Sequence, residues 1–453
     1  MSWLSLGELA RMAEGRLHGI SPAAADRLAI ERAVRDSRQV AEGDLFLALR
    51  GERFDGHDFV ADVTGTVSAA MVERELPLPL PQVVVDDVRL AMGRLALAWR
   101  QRYAGPVVAL TGSSGKTTLK EMIAAILSRQ GLTHATRGNL NNDLGVPLTL
   151  FELRPEHAFA VIEMGANHFG EIDCLTRLAC PDVAILNNAG AAHLEGFGDI
   201  AGVARAKGEI FNGLKPEGVA VINADDAYAD YWRGLNAGRR IISFGMREPA
   251  DVQGSMTPEN TLKIRSDARE VVVRLPLLGR HNALNAVAAA AAVMALGLDL
   301  AQVPQGLEAL QPVKGRLCPL AGRDGAMIID DTYNANPSST MAALHALAGL
   351  QGRRVFVLGD MGELGDDGVA LHEEIGQGAR ALGIEAFFGV GVLSQAACRA
   401  FGAQAVSCPD MDALLVVLAA QSFGAGTSVL VKGSRSARME RAVRALTEGV
   451  PAC

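Results

Sequence analysis

A short glycine-rich segment of the chain has the composition of a phosphate-binding loop. Residues 107–118 read VVALTGSSGKTT, and the helix-forming sequence LKEMIAAILSRQ follows directly. A strand, a glycine-rich turn and a helix start, in this order, place backbone N–H groups and the positive end of the helix dipole around an anion. Lys116 can then reach the terminal phosphates of a nucleotide, and the Thr117 hydroxyl can bind Mg²⁺. We predict nucleotide binding by Gly112, Ser113, Ser114, Gly115, Lys116, Thr117 and Thr118.

This loop is a shortened form of the usual phosphate loop. Leu110 stands where the longer form has its first glycine. The competing explanation is an incidental glycine-rich turn, which the strand–turn–helix context disfavours. A phosphate loop does not by itself define an activity, so motors, switches, kinases and ligases are all compatible with it.

Polar residues further along the chain can complete such a site. Glu163 ends the apolar run 158–163, and His193 follows the apolar run 183–187. Both have ordinary alternatives, because a strand-end glutamate can pair with a surface base and a single histidine is most often structural. Spacing alone favours a solvated helical lysine for Lys207, and the ordinary alternative for Asn139 is a turn-forming asparagine.

The composition is that of an ordinary globular protein. The chain has 453 residues, 49% of them apolar, and this length predicts about two to four domains. Its net charge of −8 argues against nucleic acid as a partner, because phosphate backbones need clustered Lys and Arg. Residues 1–17 predict an amphipathic helix without signal-peptide features. The alanine-rich run 285–299 is too short for a membrane span. We expect a cytoplasmic protein without stable membrane insertion, whose scattered cysteines are free.

Hydrophobic periodicity divides the chain into three α/β sections, residues 1–85, 86–312 and 313–453. The first alternates short helical and strand-like segments and ends in a strand over 82–85. The second starts with a helix over 87–103. Its buried strands are predicted at 107–110, 158–163, 183–187 and 218–222, and those of the third section at 326–329, 354–358, 386–390 and 428–431. Strands alternating with helices indicate parallel sheets. We expect a small first domain, a central phosphate-loop domain and a Rossmann-like third domain.

A series of motifs resembles the Mur ligase family over essentially the whole chain. In the central section these are GNLNNDLGVPLTL (138–150), EMG (163–165), NAGAAHLEGFG (188–198), AKGEIF (206–211) and GRHNALNAVAAAA (279–291). In the third they are KGR (314–316), DDTYNANP (330–337), LGDMGELG (358–365) and VKGSRSARME (431–440). DSR (36–38) and GDLFLALRGERFDGHDF (43–59) complete the set. Each motif alone is weak, but together and in order they are specific.

The resemblance implies an ATP-dependent amide ligase that phosphorylates a carboxylate and lets an amine attack the acyl phosphate. DDTYNANP, LGDMGELG and VKGSRSARME resemble the branch that adds D-alanyl-D-alanine to UDP-N-acetylmuramoyl-tripeptide in peptidoglycan precursor synthesis. The alternative is a Mur-type ligase that adds a single amino acid to a UDP-muramoyl acceptor. Rivals from other classes are a nucleotide-dependent switch or motor and an inactive binding protein. The implied cofactors are ATP and two Mg²⁺ ions, and we expect a monomer.

The resemblance also implies roles for individual residues of the central section. Thr117 and Glu163 would share one Mg²⁺ ion, and His193 and Lys207 would bind the second. An ammonium cannot ligate a cation, so Lys207 would act as a carbamate, whose formation needs the neutral amine. Asn139 would contact phosphate or the acyl intermediate. The expected catalytic residues are Lys116, Lys207, His193 and Asn139.

Further implied contacts come from all three sections. Asn282 would read the adenine edge, although asparagine at a helix start is also a common cap. Arg316 and Asp331 would reach the ATP phosphates and ribose when the domains close, the alternative for Arg316 being a surface salt bridge. The implied substrate contacts are Ser37, Arg38, Phe46 and His57 for the UDP-sugar, and Tyr333, Asn334 and Asn336 for the dipeptide.

Overall fold

The first α/β layer is a small sheet with strand order β2-β7-β6-β5-β4, beside a two-stranded ribbon, β1-β3. The structure is a computed structural model that describes residues 4–51, 54–192, 194–257, 261–267 and 269–448. The strands are β1 Leu4–Ser5, β2 Arg16–His18, β3 Ala29–Ile30, β4 Arg32–Val34, β5 Asp44–Leu47, β6 Ala69–Val72 and β7 Gln82–Val84. The helices are α1 Leu6–Met12, α2 Pro22–Ala25 and α3 Val60–Val63.

The N-terminal segment differs from the continuous helix expected over residues 1–17. Ser5 and Glu8 form a capping box that starts α1, because each side chain bonds the other residue's backbone N–H. Glu14 has a left-handed backbone with φ 55°, which ends the helical course. Residues 16–18 then form strand β2 against β7. The amphipathic pattern correctly predicts one helix, but it does not show that this helix begins at Leu6 and ends at Met12.

A long helix, α4 (Val88–Arg102), leads from the first sheet to the second, as the sequence predicts. Asp87 caps its start by accepting a hydrogen bond from the backbone N–H of Leu90 at 2.9 Å. At its end the buried Arg100 guanidinium donates to the carbonyls of Ala179 and Tyr103, at 2.7 and 2.9 Å. This buried cation fixes the helix to the central domain through backbone acceptors.

The central sheet has the strand order β16-β15-β14-β13-β12-β11-β8-β10-β9. Its strands are β8 Val107–Thr111, β9 Thr133–Ala135, β10 Phe159–Glu163, β11 Val183–Leu186, β12 Val219–Asn223, β13 Arg240–Gly245, β14 Val252–Met256, β15 Leu262–Ser266 and β16 Arg269–Val273. The helices after α4 are α5 Lys116–Leu127, α6 Gly145–Phe151, α7 Glu171–Ala179, α8 Leu194–Phe197, α9 Ile200–Gly208, α10 Ala229–Leu235, α11 Arg280–Ala295 and α12 Val303–Glu308. Because β8, β10 and β11 are parallel neighbours, their carboxyl ends meet at one edge.

The third sheet has the order β17-β18-β22-β19-β20-β21 and is parallel except for its first strand. Its strands are β17 Cys318–Ala321, β18 Met327–Asp331, β19 Arg353–Gly359, β20 Ala386–Val390, β21 Ala405–Cys408 and β22 Thr427–Lys432. Its helices are α13 Pro337–Ala348, α14 Gly368–Ala381, α15 Ser394–Phe401, α16 Met411–Ala419 and α17 Glu440–Thr447. The predicted α/β class is confirmed. The boundaries expected after residues 85 and 312 fall between the sheets and stay predictions.

Both faces of the central sheet are buried, which explains its continuous apolar strands. In β8, Val107 and Ala109 face one core, and Val108 and Leu110 face the other. The alanine-rich helix α11 covers the second face and packs closely on α5, with small side chains buried around most of its circumference. Its hydrophobicity therefore reflects a buried position. Within the described part of the chain, helices are too short or too polar to cross a bilayer.

Candidate active site

The phosphate loop lies between the carboxyl end of β8 and the start of α5. Gly115 has φ +77°, and a Cβ there would lie 2.8 Å from Asn285 Oδ1, so both conformation and space require glycine. Lys116 begins the helix, and its Nζ donates to the Gly112 carbonyl at 2.7 Å. Desolvation lowers the pKa of Lys116, and the nearby Glu163 carboxylate opposes that effect. The loop therefore has the geometry of an anion cradle, with an ammonium at its centre.

Asparagine side chains bind the backbone of this loop. Asn187 and Asn188, which directly follow β11, each donate from Nδ2 to the Ser114 carbonyl, at 3.2 and 3.1 Å. Asn187 also donates to Asn285 Oδ1 at 2.9 Å, and Asn285 donates to Asn282 Oδ1 at 3.3 Å. The loop is thus connected to the first turns of α11. Sequence reasoning missed the roles of residues 187, 188 and 285, although two asparagines directly after a buried strand were a usable signal.

A carboxylate is placed beside the loop at the end of β10. Glu163 is 2% exposed, and its Oε1 accepts a hydrogen bond from Asn141 Nδ2 at 2.7 Å. Its Oε2 has no hydrogen-bond partner among the described residues. Thr117 is buried in the first turn of α5 and lines the same cleft. A buried anionic oxygen without a proton donor, near a hydroxyl, suits a hard divalent cation.

Lys207 lies at the end of α9 with its side chain almost completely buried. It is 1% exposed, and its Nζ has no hydrogen-bond partner in the described part of the chain. Nζ lies 5.7 Å from the centre of the Phe197 ring. Burial, followed by the charge of Lys116, lowers the pKa of Lys207 to about 7. The solvated helical lysine that spacing favoured is therefore wrong, because the side chain is buried beside the Phe197 ring.

Three of the four expected metal ligands lie among the described residues. His193 lies outside the described residues. Over the ranges that the structure describes, no three His, Cys, Asp or Glu side chains converge as a metal site. Of the four expected ligands, only Glu163 and His193 are of these residue types.

The third domain faces the phosphate loop across a cleft of about 550 Å³. The Arg316 guanidinium carbon lies 4.2 Å from the centre of the Tyr333 ring, so the arginine stacks on that ring, and no salt bridge of Arg316 is found among the described residues. Asp331 accepts from Lys432 Nζ at 2.6 Å and from the Leu317 backbone N–H at 3.1 Å. Burial raises the pKa of Asp331, whereas Lys432 and its hydrogen bonds lower it. The cleft thus combines cations from two domains.

Expected residues from both domains line this cleft. They are Ser113, Ser114, Gly115, Lys116, Thr117, Thr118, Asn139, Glu163, Asn282, Arg316, Asp331, Tyr333, Asn334 and Asn336. Three of the asparagines are already engaged locally. Asn282 donates from Nδ2 to the Leu278 carbonyl at 2.7 Å, and its Oδ1 accepts from Asn285. Asn336 Oδ1 accepts from the Ser339 backbone N–H at 2.8 Å and caps α13, and Asn334 Oδ1 accepts from the Ala335 N–H at 2.9 Å. The amide nitrogens of Asn334 and Asn336 can still serve a ligand, whereas the amide nitrogen of Asn282 already donates to the Leu278 carbonyl.

The first domain supports only part of the expected UDP-sugar contacts. Arg38 is exposed and makes a bidentate pair with Asp36, with both bonds at 2.8 Å, and Ser37 lies in the same turn. Phe46 is 1% exposed in the core, so its assignment as a ligand contact is corrected to packing. His57 is corrected likewise, because Nδ1 bonds Asp55 and Nε2 accepts the Glu73 backbone N–H at 2.8 Å. All four residues of β5 are buried, and the sequence of this strand does not show which side chains face the core.

These features define a nucleotide-binding enzyme in which a phosphate-loop domain and a Rossmann-like domain share one cleft. Three family models match the chain: "Mur ligase middle domain" over 110–293, "Mur ligase, glutamate ligase domain" over 315–435 and "Mur ligase family, catalytic domain" over 33–100. The UDP-N-acetylmuramoyl-tripeptide--D-alanyl-D-alanine ligase of Escherichia coli (strain K12) is 44% identical, with 98% of each chain covered. The chain belongs to the Mur ligase family.

Other relatives agree in sequence and in structure. The ligase of the same name from Bacillus subtilis (strain 168) is 34% identical over 93% of this chain and 94% of its own. A crystal structure of MurF from Acinetobacter baumannii is 40% identical, covers 98% of both chains and has a TM-score of 0.91. A Thermotoga maritima MurF ligase, solved in complex with ADP, is 29% identical and covers 92% of this chain and 96% of its own, with a TM-score of 0.80.

Proposed function

We propose that this protein uses ATP to join D-alanyl-D-alanine to UDP-N-acetylmuramoyl-tripeptide, giving the pentapeptide, ADP and phosphate. The relatives that share nearly its whole length carry this activity in their names. The observation that carries the proposal is the interdomain cleft, in which the phosphate loop and Glu163 face Arg316 and Asp331. A triphosphate and a carboxylate can be brought together there only if cations offset their repulsion.

The reaction needs an activated carboxylate, because a free carboxylate and an amine do not condense in water. The tripeptide carboxylate attacks the γ-phosphorus, ADP leaves, and the dipeptide amine then displaces phosphate from the acyl carbon. Lys116 and the loop N–H groups would stabilise the phosphates from the central domain, and Arg316 would do so from the third. Asn139 would contact the transferred group. Asn282 would read adenine, and Asp331 would bind the ribose. Closure over the cleft would exclude water from the acyl phosphate.

We expect two Mg²⁺ ions; Thr117 and Glu163 line the cleft, whereas Lys207 does not. Thr117 and Glu163 would hold one, and His193 and carbamylated Lys207 would hold the other. The unpartnered oxygen of Glu163 and the unpartnered amine of Lys207 support this assignment. When bound, Mg²⁺ neutralises charge on the phosphate oxygens. Carbamylation of Lys207 forms an N–C bond to CO₂ with loss of one proton, and the lowered pKa of the amine favours it.

The first domain would hold the acceptor, and the third domain would hold the dipeptide. Arg38 and Ser37 would bind the UDP end, since the planar guanidinium suits a diphosphate. Tyr333 and the amide nitrogens of Asn334 and Asn336 would orient the dipeptide. The nucleotide substrates are consistent with a cytoplasmic enzyme, and we expect a monomer.

Phosphate release from the purified full-length chain tests the proposal. ATP, Mg²⁺ and UDP-N-acetylmuramoyl-tripeptide should give fast phosphate release only when D-alanyl-D-alanine is added, and single amino acids should not replace the dipeptide. ATP hydrolysis at the same rate without the tripeptide would instead indicate a switch or motor. Faster turnover with one amino acid would favour the other Mur-type ligases.

A further inference from the structure

The segment that follows β9 crosses the carboxyl end of β10 and holds Glu163 at several points. The backbone N–H of Glu163 donates to Thr136 Oγ1 at 3.0 Å. Asn141 Nδ2 donates to Glu163 Oε1 at 2.7 Å. The backbone N–H of Gly165 donates to the Asn141 carbonyl at 2.8 Å. Asn141 therefore contacts the EMG motif twice, through its side chain at Glu163 and through its backbone carbonyl at Gly165.

The close approach of these segments depends on a glycine. A Cβ at Gly165 would lie 3.1 Å from both Cγ and Oδ1 of Asn141, and 3.2 Å from Nδ2. Any larger residue would press on the amide that bonds Glu163. The position of the Asn141 side chain is therefore fixed by packing as well as by its own hydrogen bond.

The bond to Asn141 distinguishes the two oxygens of the carboxylate. Oε1 receives the amide hydrogen, whereas Oε2 is buried without a partner among the described residues. A glutamate side chain has three rotatable bonds, and burial at 2% exposure leaves little water to orient it. One charge-assisted hydrogen bond is therefore enough to decide which oxygen is available to a cation.

We propose that Asn141 is a positioning residue that aims Glu163 Oε2 at the divalent cation accompanying the nucleotide. This inference rests on the proposed function, because it assumes that Glu163 serves a nucleotide-bound metal. The neighbouring Asn142 differs, since its Oδ1 accepts the Gly145 backbone N–H at 2.9 Å and stays within its own loop. Substitution of Asn141 therefore tests an effect on the Glu163 carboxylate, and substitution of Asn142 tests a general effect on the loop.

The test compares the affinity of full-length protein for a non-hydrolysable ATP analogue with Mg²⁺ and with EDTA, by calorimetry. The wild type should bind more tightly with Mg²⁺. In Asn141→Ala this metal-dependent gain should fall about tenfold, the change expected when a charged group loses one hydrogen bond. Affinity in EDTA should stay at the wild-type value. Asn142→Ala should keep the full metal-dependent gain while its melting temperature falls slightly.

A merely structural role for Asn141 would lower both affinities equally, and this result would overturn the inference. Asn141→Leu, which keeps the side-chain size without a donor, replaces the alanine variant if that variant does not fold. In a Glu163→Ala background, Asn141→Ala should cause no further loss of the metal-dependent gain, and additive losses would also overturn the inference. A wild type without any metal-dependent gain would contradict the proposed metal site itself. A wild-type gain that Asn141→Ala preserves would contradict only the role of Asn141.

Discussion

Lys207 should be essential for activity and at the same time unfavourable for folding. Its amine is buried without a hydrogen-bond partner among the described residues, and burial is the main cause of its pKa of about 7. At pH 7 about half of such amines are neutral, against roughly 0.03% for a lysine with an ordinary pKa near 10.5. Because the unfolded chain binds the proton more tightly, protonation favours unfolding.

We therefore predict that Lys207→Met stabilises the protein in CO₂-depleted buffer. Methionine is of similar length and carries no charge, so the variant should remove a cost of roughly 1–3 kcal/mol for an unpaired buried polar group. The sign of the pH dependence follows from the lowered pKa. The gain should be complete at pH 7 and below, and it should shrink as the pH rises towards 10.5, where the unfolded lysine also loses its proton.

The same variant should lose at least about a hundredfold in phosphate release, because it cannot form the carbamate ligand. Lys207→Ala should be equally inactive, but acetate or formate should restore part of its activity by supplying two oxygens in the space left. Lys207→Met should not respond to these acids, since its side chain fills that space. Urea titrations at pH 7 and 10 measure the stability. Lys263→Met, at a half-exposed position on β15, is the control that should change neither property.

Two outcomes would refute this reasoning. Wild-type turnover in Lys207→Met would exclude a carbamate at residue 207. A Lys207→Met protein that is no more stable than the wild type at pH 7 would show that the amine is not an unpaired buried group in solution.

Three further predictions concern the cleft and the core. Arg316→Ala should weaken the binding of an ATP analogue, measured by calorimetry, at least tenfold and leave UDP-substrate binding unchanged. Tyr333→Leu should reproduce part of this loss of affinity, because it removes the ring on which Arg316 stacks. Tyr333→Phe keeps that ring and should bind the analogue as the wild type does. Lys432→Met should lower the free energy of unfolding, measured by urea titration, by about 3–5 kcal/mol, because it leaves Asp331 buried without its cation. Adding Asp331→Asn should recover part of this loss. A second, additive loss would contradict the stabilising role of the Asp331–Lys432 ion pair. Burial lowers the pKa of His134 to about 4, so stability should fall as the pH drops from 6.5 to 4, and less so in His134→Gln. Parallel pH curves for the two proteins would contradict that assignment.

The buried strands could be read from the sequence to within a residue or two, because each is a continuous apolar run between polar turns. The expected strand 107–110 is Val107–Thr111, and 386–390 is Ala386–Val390. Short or edge strands such as β9, β17 and β21, and the antiparallel strands β14–β16, were not predicted. Many of their residues are partly or fully exposed, so local hydrophobicity is weak, and a neighbouring strand must supply their hydrogen bonds.

By itself, the sequence determined the family, the α/β class and the phosphate loop, because these depend on local order: apolar runs, glycines at fixed spacing and a lysine at a helix start. The tertiary structure decided which side chains meet. Folding buried the Lys207 amine without a hydrogen-bond partner among the described residues and placed Phe46 in the core. The pairing of β9 with β10 brought Asn141, in the loop after β9 and 22 positions away in sequence, to Glu163. Such pairings depend on distances through space, which residue type and spacing along the chain do not specify.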